Sequence, residues 1–414
     1  MAGQLLPITA LLVSTFLMLA GGGLAGLLLP LRAELEGWSP TTIGWIGTGY
    51  AVAFTSGCVV VPLLVRRVGH VRVFATLLTG LSMSLLLQSL VIDPFAWTVF
   101  RGLAGFSLAG GYMVVESWLN ERVTNESRGK IFSIYMIVSM IGTMAGQYVL
   151  PFGNLAGPNL FIIAALIYAS AVIPTALSAA QSPQPLTQVR LDLRGLFSRS
   201  PAAAVGTLIA GIIAGGWNYL VPVYGGAIGL STFQVATMVA SAMIGGAVFQ
   251  YPLGRASDRV DRRYVMVFAG IVGVSISLAM IGFEHAPPAV IFGLMFLFGS
   301  VLYPIYSLNV AHANDFASPH EFVQVSSGLL IVYGIGSMAG PQIAGRMMDG
   351  IGPSGFFVTM AGSYAAYAGY AFWRSLRRPP VAPEERTDFK AQSVARLPTP
   401  ETYKLHGEGE AAAD

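Results

Sequence analysis

The sequence predicts an all-α integral membrane protein, with twelve transmembrane helices arranged as two six-helix bundles that a pseudo-twofold axis relates. Composition is the first reason: 54% of the 414 residues are hydrophobic and 10% are charged, whereas soluble globular chains carry about 25% charged residues. The second reason is a series of twelve apolar runs, and the third is a repeat between the two halves of the chain.

The apolar runs are long enough to cross a membrane, because a bilayer core of about 30 Å needs roughly 20 residues of helix. The first run has no Lys or Arg ahead of it and is longer than a signal-peptide core, so we expect it to be retained. The runs cover approximately residues 7–30, 41–64, 73–92, 95–118, 131–151, 159–180, 201–223, 231–253, 264–283, 288–311, 323–345 and 354–373.

Four segments follow from these runs: an N-terminal bundle (1–180), a polar linker (181–200), a C-terminal bundle (201–373) and a tail (374–414). The linker contains prolines and then a short amphipathic stretch that would suit the membrane interface. The tail is rich in Pro, Glu, Ala and Arg and has no apolar periodicity, so we expect it to be disordered.

Basic residues predict the orientation. With the N-terminus inside, 20 of the 23 Lys and Arg residues fall on the cytoplasmic side, as the positive-inside rule requires. Arg32 and Arg346 lie on the other side, and Arg101 lies within a span. We therefore expect a multi-pass membrane protein with both termini in the cytoplasm.

The composition excludes several other classes of protein. A net charge of +3 is too small to attract nucleic acid. The single cysteine, Cys58, excludes a disulfide framework and a thiolate metal site. No Walker-type phosphate loop is present, so ATP is not the expected energy source. The spans contain no paired acids or histidine clusters, so we expect neither an enzyme nor a cofactor.

The second half of the chain repeats the first at an offset of 192–194 residues. Residues 20–22 match 214–216, and residues 141–147 match 335–341. A parallel repeat of six helices plus six, joined by a polar loop, is the design of transporters that rock two bundles around a central site.

Several motifs resemble those of the major facilitator superfamily. Residues 254–263 (GRASDRVDRR) resemble its loop signature G-x-x-x-D-R-x-G-R-R, with Asp261 in place of the second glycine. In the corresponding stretch of the first half, Arg66 stands where the family has an acid, although Arg67 fits. Arg101-x-x-x-Gly105 resembles the motif of the family's fourth span.

The resemblance extends over roughly residues 7–373, and residues 111–130 and 303–316 resemble the YcaD-like subgroup of bacterial transporters. Gly336-x-x-x-Gly340-Pro341 resembles the glycine–proline motif that the family's antiporters carry in span 5, and is expected to pack helices. Here span 5 lacks the proline, so the motif does not identify an antiporter.

Two ionisable residues lie clearly inside the spans, Arg101 and Glu116 of the fourth run. Such groups are costly in a membrane, and their default interpretation is functional. On a helical wheel Arg101, Gly105 and Tyr112 share one stripe, which we interpret as facing a central cavity that binds substrate or a proton. The alternative is that Arg101 reaches out to the interface or pins backbone carbonyls.

Other polar residues in the spans are candidates for the same cavity, although aromatic residues near span ends are often interface residues. These candidates are Asn218, Tyr303, Tyr306 and Asn309.

The resemblance also implies a cytoplasmic gating network of ion pairs that hold one conformation closed. Glu116 would pair with Arg66 or Arg67, and Asp258 with Arg259 or Arg262. The alternative is that the loop arginines only set the topology. Gly254 and Arg263 complete the predicted network.

The function that the resemblance implies is secondary active transport of a small molecule by alternating access. We expect coupling to protons, with export favoured because the predicted cavity is aromatic and apolar. Uptake of a small anionic metabolite is the alternative that Arg101 suits, and a non-transporting membrane sensor is another. The expected partners are the lipid bilayer, a small-molecule substrate and protons, without nucleic acid, and the expected state is a monomer.

Overall fold

The computed structural model is helical, and its described part contains no β-strand. Contacts divide the chain into two units: unit 1 is Met1–Gly37, Gly49–Val189 and Ala395–Asp414, and unit 2 is Trp38–Thr48 and Arg190–Val394. The predicted linker lies outside the described residues up to position 192. The structure describes residues 2–177, 193–318, 321–377, 379, 381–382, 386–391, 393 and 399–405.

Unit 1 begins its fourth helix with a capped N-terminus, because the Asp93 carboxylate accepts a hydrogen bond from the Ala96 N–H at 2.8 Å. A positive φ of 87° at Gly69 allows the tight turn between the second and third helices. The helices are α1 (Ala2–Leu35), α2 (Pro40–Val68), α3 (His70–Leu90), α4 (Pro94–Arg122), α5 (Asn125–Gln147), α6 (Asn159–Ser170) and α7 (Val172–Ala176), with a 3-10 turn at Leu150–Phe152.

Unit 2 also takes in the first residues of α2. Its tenth predicted span is broken at Pro304, which has no N–H to continue the helical ladder. The helices are α8 (Leu193–Arg199), α9 (Pro201–Ala227), α10 (Thr232–Arg259), α11 (Arg262–Gly282), α12 (Pro288–Leu302), α13 (Pro304–Asn314), α14 (Phe322–Ile351) and α15 (Gly355–Ser375), followed in the tail by α16 (Pro400–Leu405), which belongs to unit 1.

Every predicted apolar run corresponds to a helix or to a broken pair of helices. By length and composition, 11 of these segments in the described part are apolar enough to cross a membrane. The remaining run is α15, whose 21 residues span about 31 Å at 1.5 Å per residue. Its glycines, serines and tyrosines make it less apolar than the others, but it is long enough to cross a bilayer.

The same glycine packing recurs in the two halves. A Cβ atom on Gly146 would lie 1.8 Å from the carbonyl oxygen of Ala20, so α5 and α1 approach too closely for any side chain there. In unit 2, a Cβ atom on Gly340 would lie 2.1 Å from the carbonyl oxygen of Ile212, which packs α14 on α9 in the same way. Small residues at such positions allow close packing of membrane helices.

The tail differs from the disorder that its composition predicts. Within its described residues, Thr399 and Thr402 are fully buried and α16 begins at Pro400. These residues are held by hydrogen bonds, because both threonine hydroxyl groups donate to the buried carboxylate of Glu116. A search for apolar periodicity does not detect an anchor of this kind.

Candidate functional site

Arg101 lies in α4 against an aromatic side chain of α2. Its Cζ atom is 4.6 Å from the ring centroid of Tyr50, which is buried. A cation over an aromatic face gains about 2 kcal/mol where water is excluded. Tyr50 stacks in turn on Phe54, with 6.0 Å between the ring centroids. Arg101 therefore begins a row of aromatic side chains within unit 1.

Tyr168 of α6 also belongs to this group. Its side chain is buried and lies within electrostatic range of Arg101 and Tyr50. Its ring fits against α1, where a Cβ atom on Gly21 would lie 2.9 Å from the ring atom Cδ1. We call Arg101, Tyr50, Tyr112 and Tyr168 the Arg101 cluster.

Sequence reasoning missed Tyr50 and Tyr168. The signal available was their position, since both lie well inside apolar runs. An interface belt places its aromatic residues at span ends.

The stripe that the sequence predicts to face a cavity contacts α2 at two of its residues. A Cβ atom on Gly105 would lie 2.3 Å from the carbonyl oxygen of Tyr50, so this glycine serves the close approach of α4 and α2. Tyr112 is buried, and its ring centroid is 6.3 Å from that of Phe54. On this face of α4, the neighbour of Gly105 and Tyr112 is therefore α2.

In unit 2, two of the predicted tyrosines lie beside other aromatic residues. Tyr303 lies at the break between α12 and α13, where the side chain of Trp217 hydrogen-bonds to it. The Tyr306 ring meets that of Tyr333 edge-on, with 4.9 Å between centroids. Asn218, next to Trp217 in α9, is exposed.

Asn309, which the sequence predicts to line the cavity, is hydrogen-bonded within unit 2. The residue is fully buried, and its Nδ2 donates to the carbonyl oxygen of Ile305 at 2.9 Å. Its Oδ1 accepts from the hydroxyl of Tyr367 at 3.3 Å. Gly206 of α9 provides the space for this amide, because a Cβ atom there would lie 2.3 Å from Oδ1.

Arg262 organises a buried charge cluster at the start of α11. Its Nε donates to Asp315 at 2.8 Å, and its Nη1 lies 3.0 Å from Asp258. The side chains of Arg262 and Asp315 are only 1% and 3% exposed, so both charges depend on each other. The ion pair between Asp258 and Arg262 is one of the two predicted pairs, and Asp315 is a partner that the sequence did not suggest. We call Asp258, Arg262 and Asp315 the Arg262 cluster.

Residues of the tail bind to the Arg262 cluster. The Thr387 N–H donates to Asp315 at 2.9 Å, and the Thr387 carbonyl accepts from Arg262. The Phe389 N–H donates to Asp258 at 3.0 Å. The Phe389 ring covers Gly254, where a Cβ atom would lie 2.2 Å from the ring. The glycine of the loop signature thus provides room for this tail residue.

Arg263 pairs with Asp261, the residue that departs from the loop signature. Its Nη2 is 2.6 Å from an Asp261 carboxylate oxygen, and its own N–H donates to that carboxylate at 3.0 Å. Asp261 therefore caps α11. Burial raises the pKa of Asp261, but the hydrogen bonds and charge of Arg263 outweigh it, so the pKa lies below its ordinary value.

Glu116 of α4 is fully buried among hydroxyl groups. Tyr135 of α5 donates to Oε1 at 3.4 Å, and Thr402 donates to Oε2 at 3.0 Å. Thr399 also donates to Oε2. Hydrogen bonds to an ionised carboxylate are stronger than those between neutral groups. We call Glu116, Tyr135, Thr399 and Thr402 the Glu116 site.

The predicted ion pair of Glu116 with Arg66 or Arg67 is absent from the described structure. Both arginines are exposed at the end of α2, whereas Glu116 has no exposed surface. Arg259 is likewise exposed at the end of α10. These three arginines are exposed, whereas the partners described for the buried Glu116 carboxylate are hydroxyl groups.

The predicted helix-packing motif lies on α14. A Cβ atom on Gly336 would be 2.1 Å from the carbonyl oxygen of Leu208, which brings α14 against α9. The Pro341 carbonyl faces α2, where a Cβ atom on Gly44 would be 2.6 Å from it. On the same side, the Thr48 hydroxyl donates to the Met338 carbonyl at 2.8 Å. This motif packs helices within unit 2.

The candidate sites offer charges, hydroxyl groups and aromatic faces. Among the residues that the structure describes, no group of three or more His, Cys, Asp or Glu side chains could hold a metal ion.

The fold resembles solved transporters of the same architecture. The chain aligns with a mutant of the nucleoside transporter NupG at a TM-score of 0.79 and 14% identity, covering 89% of this chain and 100% of that one. A bacterial homologue of the human lysosomal transporter Spinster gives a TM-score of 0.74 at 12% identity, covering 93% of this chain and 98% of that one. At these identities the likeness shows the fold.

Sequence comparisons give the family. The model of the Major Facilitator Superfamily matches residues 11–299 and 203–402. The uncharacterised MFS-type transporter YcaD of Escherichia fergusonii is 24% identical over 360 residues, 86% of this chain and 92% of its own. An uncharacterised MFS-type transporter of Enterobacter sp. (strain 638) is 27% identical over 376 residues, with the same coverage. The chain is therefore a multi-pass membrane protein that belongs to the major facilitator superfamily, a family of secondary transporters and not of enzymes.

Proposed function

We propose that this transporter exports an amphipathic small molecule across the bacterial inner membrane by alternating access, coupled to protons. The observation that carries the proposal is the contact of Arg101 with Tyr50 in the Arg101 cluster, a cation over an aromatic ring inside a span. An intramembrane charge in such a setting marks a substrate or ion pathway. The distribution of basic residues supports cytoplasmic termini, and one chain is proposed to work as a monomer.

The proposed substrate site combines aromatic faces with few charges. In unit 1 the ring of Tyr50 lies beside Arg101 and stacks on the ring of Phe54. Rings with hydroxyl groups can contact an apolar body and hydrogen-bond its polar end. This combination favours amphipathic compounds over strongly charged ones.

We propose that Glu116 carries the coupling proton. It is the acidic residue inside α4 that the sequence singles out, and its described hydrogen-bond partners are hydroxyl groups. Carboxylates within membrane spans commonly serve as proton relays. The Arg262 cluster is proposed to act as a latch of the cytoplasmic gate, because opening it would expose or separate a buried ion pair.

Uptake of a small anion is the second candidate, and Arg101 is the observation that favours it. A guanidinium group can bind a carboxylate or phosphate with two parallel hydrogen bonds. In that case the cation would serve the substrate directly.

The test is a thermal-shift screen of amphipathic and anionic compounds on the detergent-purified protein at two pH values. Proteoliposome flux of each hit with an imposed proton gradient follows. Arg101→Ala should abolish the shift, and Arg101→Lys should retain part of it for an anion because the charge remains. Tyr50→Phe keeps the ring and should bind normally, whereas Tyr50→Leu removes the cation–π contact and should bind weakly.

Coupling is tested separately. Glu116→Gln should preserve binding but remove the dependence of flux on the proton gradient. Unchanged flux in both Arg101→Ala and Glu116→Gln would overturn the proposed site and coupling together. An anionic hit that accumulates inward along the proton gradient would establish uptake instead of export.

A further inference from the structure

The end of the tail folds onto the interior of unit 1 although its sequence is polar. The side chains of Thr399, Glu401 and Thr402 are at most 3% exposed. Pro400 opens α16, a position that tolerates proline because the first helical N–H has no partner. The Thr399 N–H donates to the Thr402 hydroxyl at 3.0 Å, which fixes the start of this helix. The short sequence therefore presents two threonine hydroxyl groups side by side.

These two hydroxyl groups meet the carboxylate of Glu116. Both donate to the same oxygen, Oε2, and the two threonine oxygens are 3.4 Å apart. A side-chain amide of α4 adds a further contact, because Asn120 Nδ2 donates to the Glu401 carbonyl at 3.3 Å. A buried carboxylate needs hydrogen bonds of the kind that Thr399 and Thr402 donate, because it has lost its hydrogen bonds to water. The tail residues thus replace water at Glu116.

We infer that residues 399–402 form an intramolecular ligand of Glu116, which shields this carboxylate from water and must detach before Glu116 can exchange a proton. The contact is autoinhibitory. The part that concerns proton exchange rests on the proposed coupling role of Glu116, whereas the docking itself does not.

The structure of the segment suits reversible docking. An isolated helix shorter than about 12 residues is marginal in water, and α16 is a helix of six residues. Its stability comes from contacts with α4, and segments with few such contacts open at low free-energy cost. A second anchor lies earlier in the tail, where Thr387 and Phe389 bind the Arg262 cluster. Release of the end of the tail need not release this anchor.

Docking of the tail depends on the acceptor group of Glu116. A carboxylate accepts from both threonines, and bonds to an ionised acceptor are roughly twice as strong as bonds to a neutral one. Glu116→Gln keeps the size of the side chain and removes the charge. We therefore expect this substitution to loosen the tail.

Access to the docked segment can be measured without any substrate. The probe is maleimide labelling of Pro400→Cys in a Cys58→Ser background, which leaves both threonines in place. Labelling should be slow in the parent and about a hundredfold faster after Thr399→Val with Thr402→Val, because each hydrogen bond to a charged group contributes about tenfold. Thr76→Val, the same change at an exposed threonine of α3, should leave the labelling rate unchanged.

Shielding of Glu116 is measured on the protein with its native tail. A hydrophobic carbodiimide modifies buried carboxyl groups, and mass spectrometry of the peptide with Glu116 reports the rate. The rate should rise at least about tenfold after Thr399→Val with Thr402→Val, which corresponds to the loss of one such hydrogen bond. Truncation before residue 395 should have the same effect, and Glu116→Gln should abolish the product.

Fast labelling at position 400 in the parent would overturn the inference, as would equal carbodiimide rates with and without the tail. Because none of these measurements involves flux, loss of the transport proposal and loss of the tail proposal give different results.

Discussion

Phe389 occupies the space that a side chain on Gly254 would need. A Cβ atom on Gly254 would lie 2.2 Å from the Phe389 ring, well inside the van der Waals distance. The glycine that begins the loop signature therefore forms the contact surface for the Phe389 ring of the tail. The carboxylate of Asp258, one turn further along α10, accepts from the backbone N–H of the same phenylalanine.

Gly254→Ala should displace the tail from α10. The added methyl group cannot coexist with the Phe389 ring in its present position, so the ring must leave or shift. We expect trypsin cleavage after Lys390 to become at least about tenfold faster, as a loss of about 1.4 kcal/mol would produce. Gly362→Ala is the matched control, because nothing lies within 4 Å of a Cβ atom there. Equal cleavage rates in the two variants would show that the tail does not depend on packing of Phe389 against Gly254.

Asp315→Ala should destabilise unit 2 strongly. It would leave the guanidinium of Arg262 buried without its closest carboxylate. Removal of one partner from a buried ion pair costs about 3–5 kcal/mol. The measurement is thermal unfolding in detergent. Arg259→Lys, a change at an exposed cation of the same loop signature, should alter stability by less than about 0.5 kcal/mol. If the two substitutions lowered thermal stability by similar amounts, the buried ion pair of Arg262 with Asp315 would not contribute more than an exposed charge does.

Gly146→Ala and Gly340→Ala should lower stability by similar amounts. Both glycines leave less than 2.2 Å for a Cβ atom, against Ala20 and Ile212 respectively. Overpacking typically costs about 1–3 kcal/mol, and more where backbone is the obstacle. Gly369→Ala is the control for helix propensity, because a Cβ atom there would meet open space. This substitution should stabilise the helix slightly, since alanine favours helix more than glycine does. A large effect in only one half would argue against equivalent packing in the repeat.

The contact between Asp261 and Arg263 should stabilise the protein only above acidic pH. Burial raises the pKa of Asp261, but Arg263 lowers it by a larger amount. The pKa of this carboxyl in the folded protein therefore lies below the ordinary value of 3.8. A depressed carboxyl pKa stabilises the fold above the unfolded pKa, and this stabilisation disappears as the pH falls through the folded pKa. The difference in melting temperature between wild type and Asp261→Asn should therefore shrink below about pH 4. Asp93→Asn, at another helix cap, controls for the change of capping residue.

The spans were predictable because bilayer thickness and backbone hydrogen bonding constrain them strongly. The ends of the helices were less predictable. The helix α10 continues to Arg259 and α14 continues to Ile351, in both cases beyond the apolar run that predicted the helix. Polar residues can extend a helix into water, and hydropathy does not register this extension.

The candidate sites were predictable where a charge interrupts an apolar run, as at Arg101 and Glu116. Their partners were not, because they depend on tertiary contacts: Glu116 meets Thr399 across 283 residues of sequence. The sequence predicts a cavity position for Asn309 because a polar residue within a span is commonly functional. Its bonds to Ile305 and Tyr367 show that such a residue can instead be satisfied within the packed interior.

The break at Pro304 divides one membrane crossing into two rods. The first rod, α12, packs closely at Gly299, where a Cβ atom would lie 1.9 Å from the Ala242 carbonyl. The second rod, α13, leads directly into Asp315. Any bending at Tyr303 would therefore move the carboxylate that holds Arg262 relative to the glycine contact, so this ion pair is sensitive to the angle between the two rods.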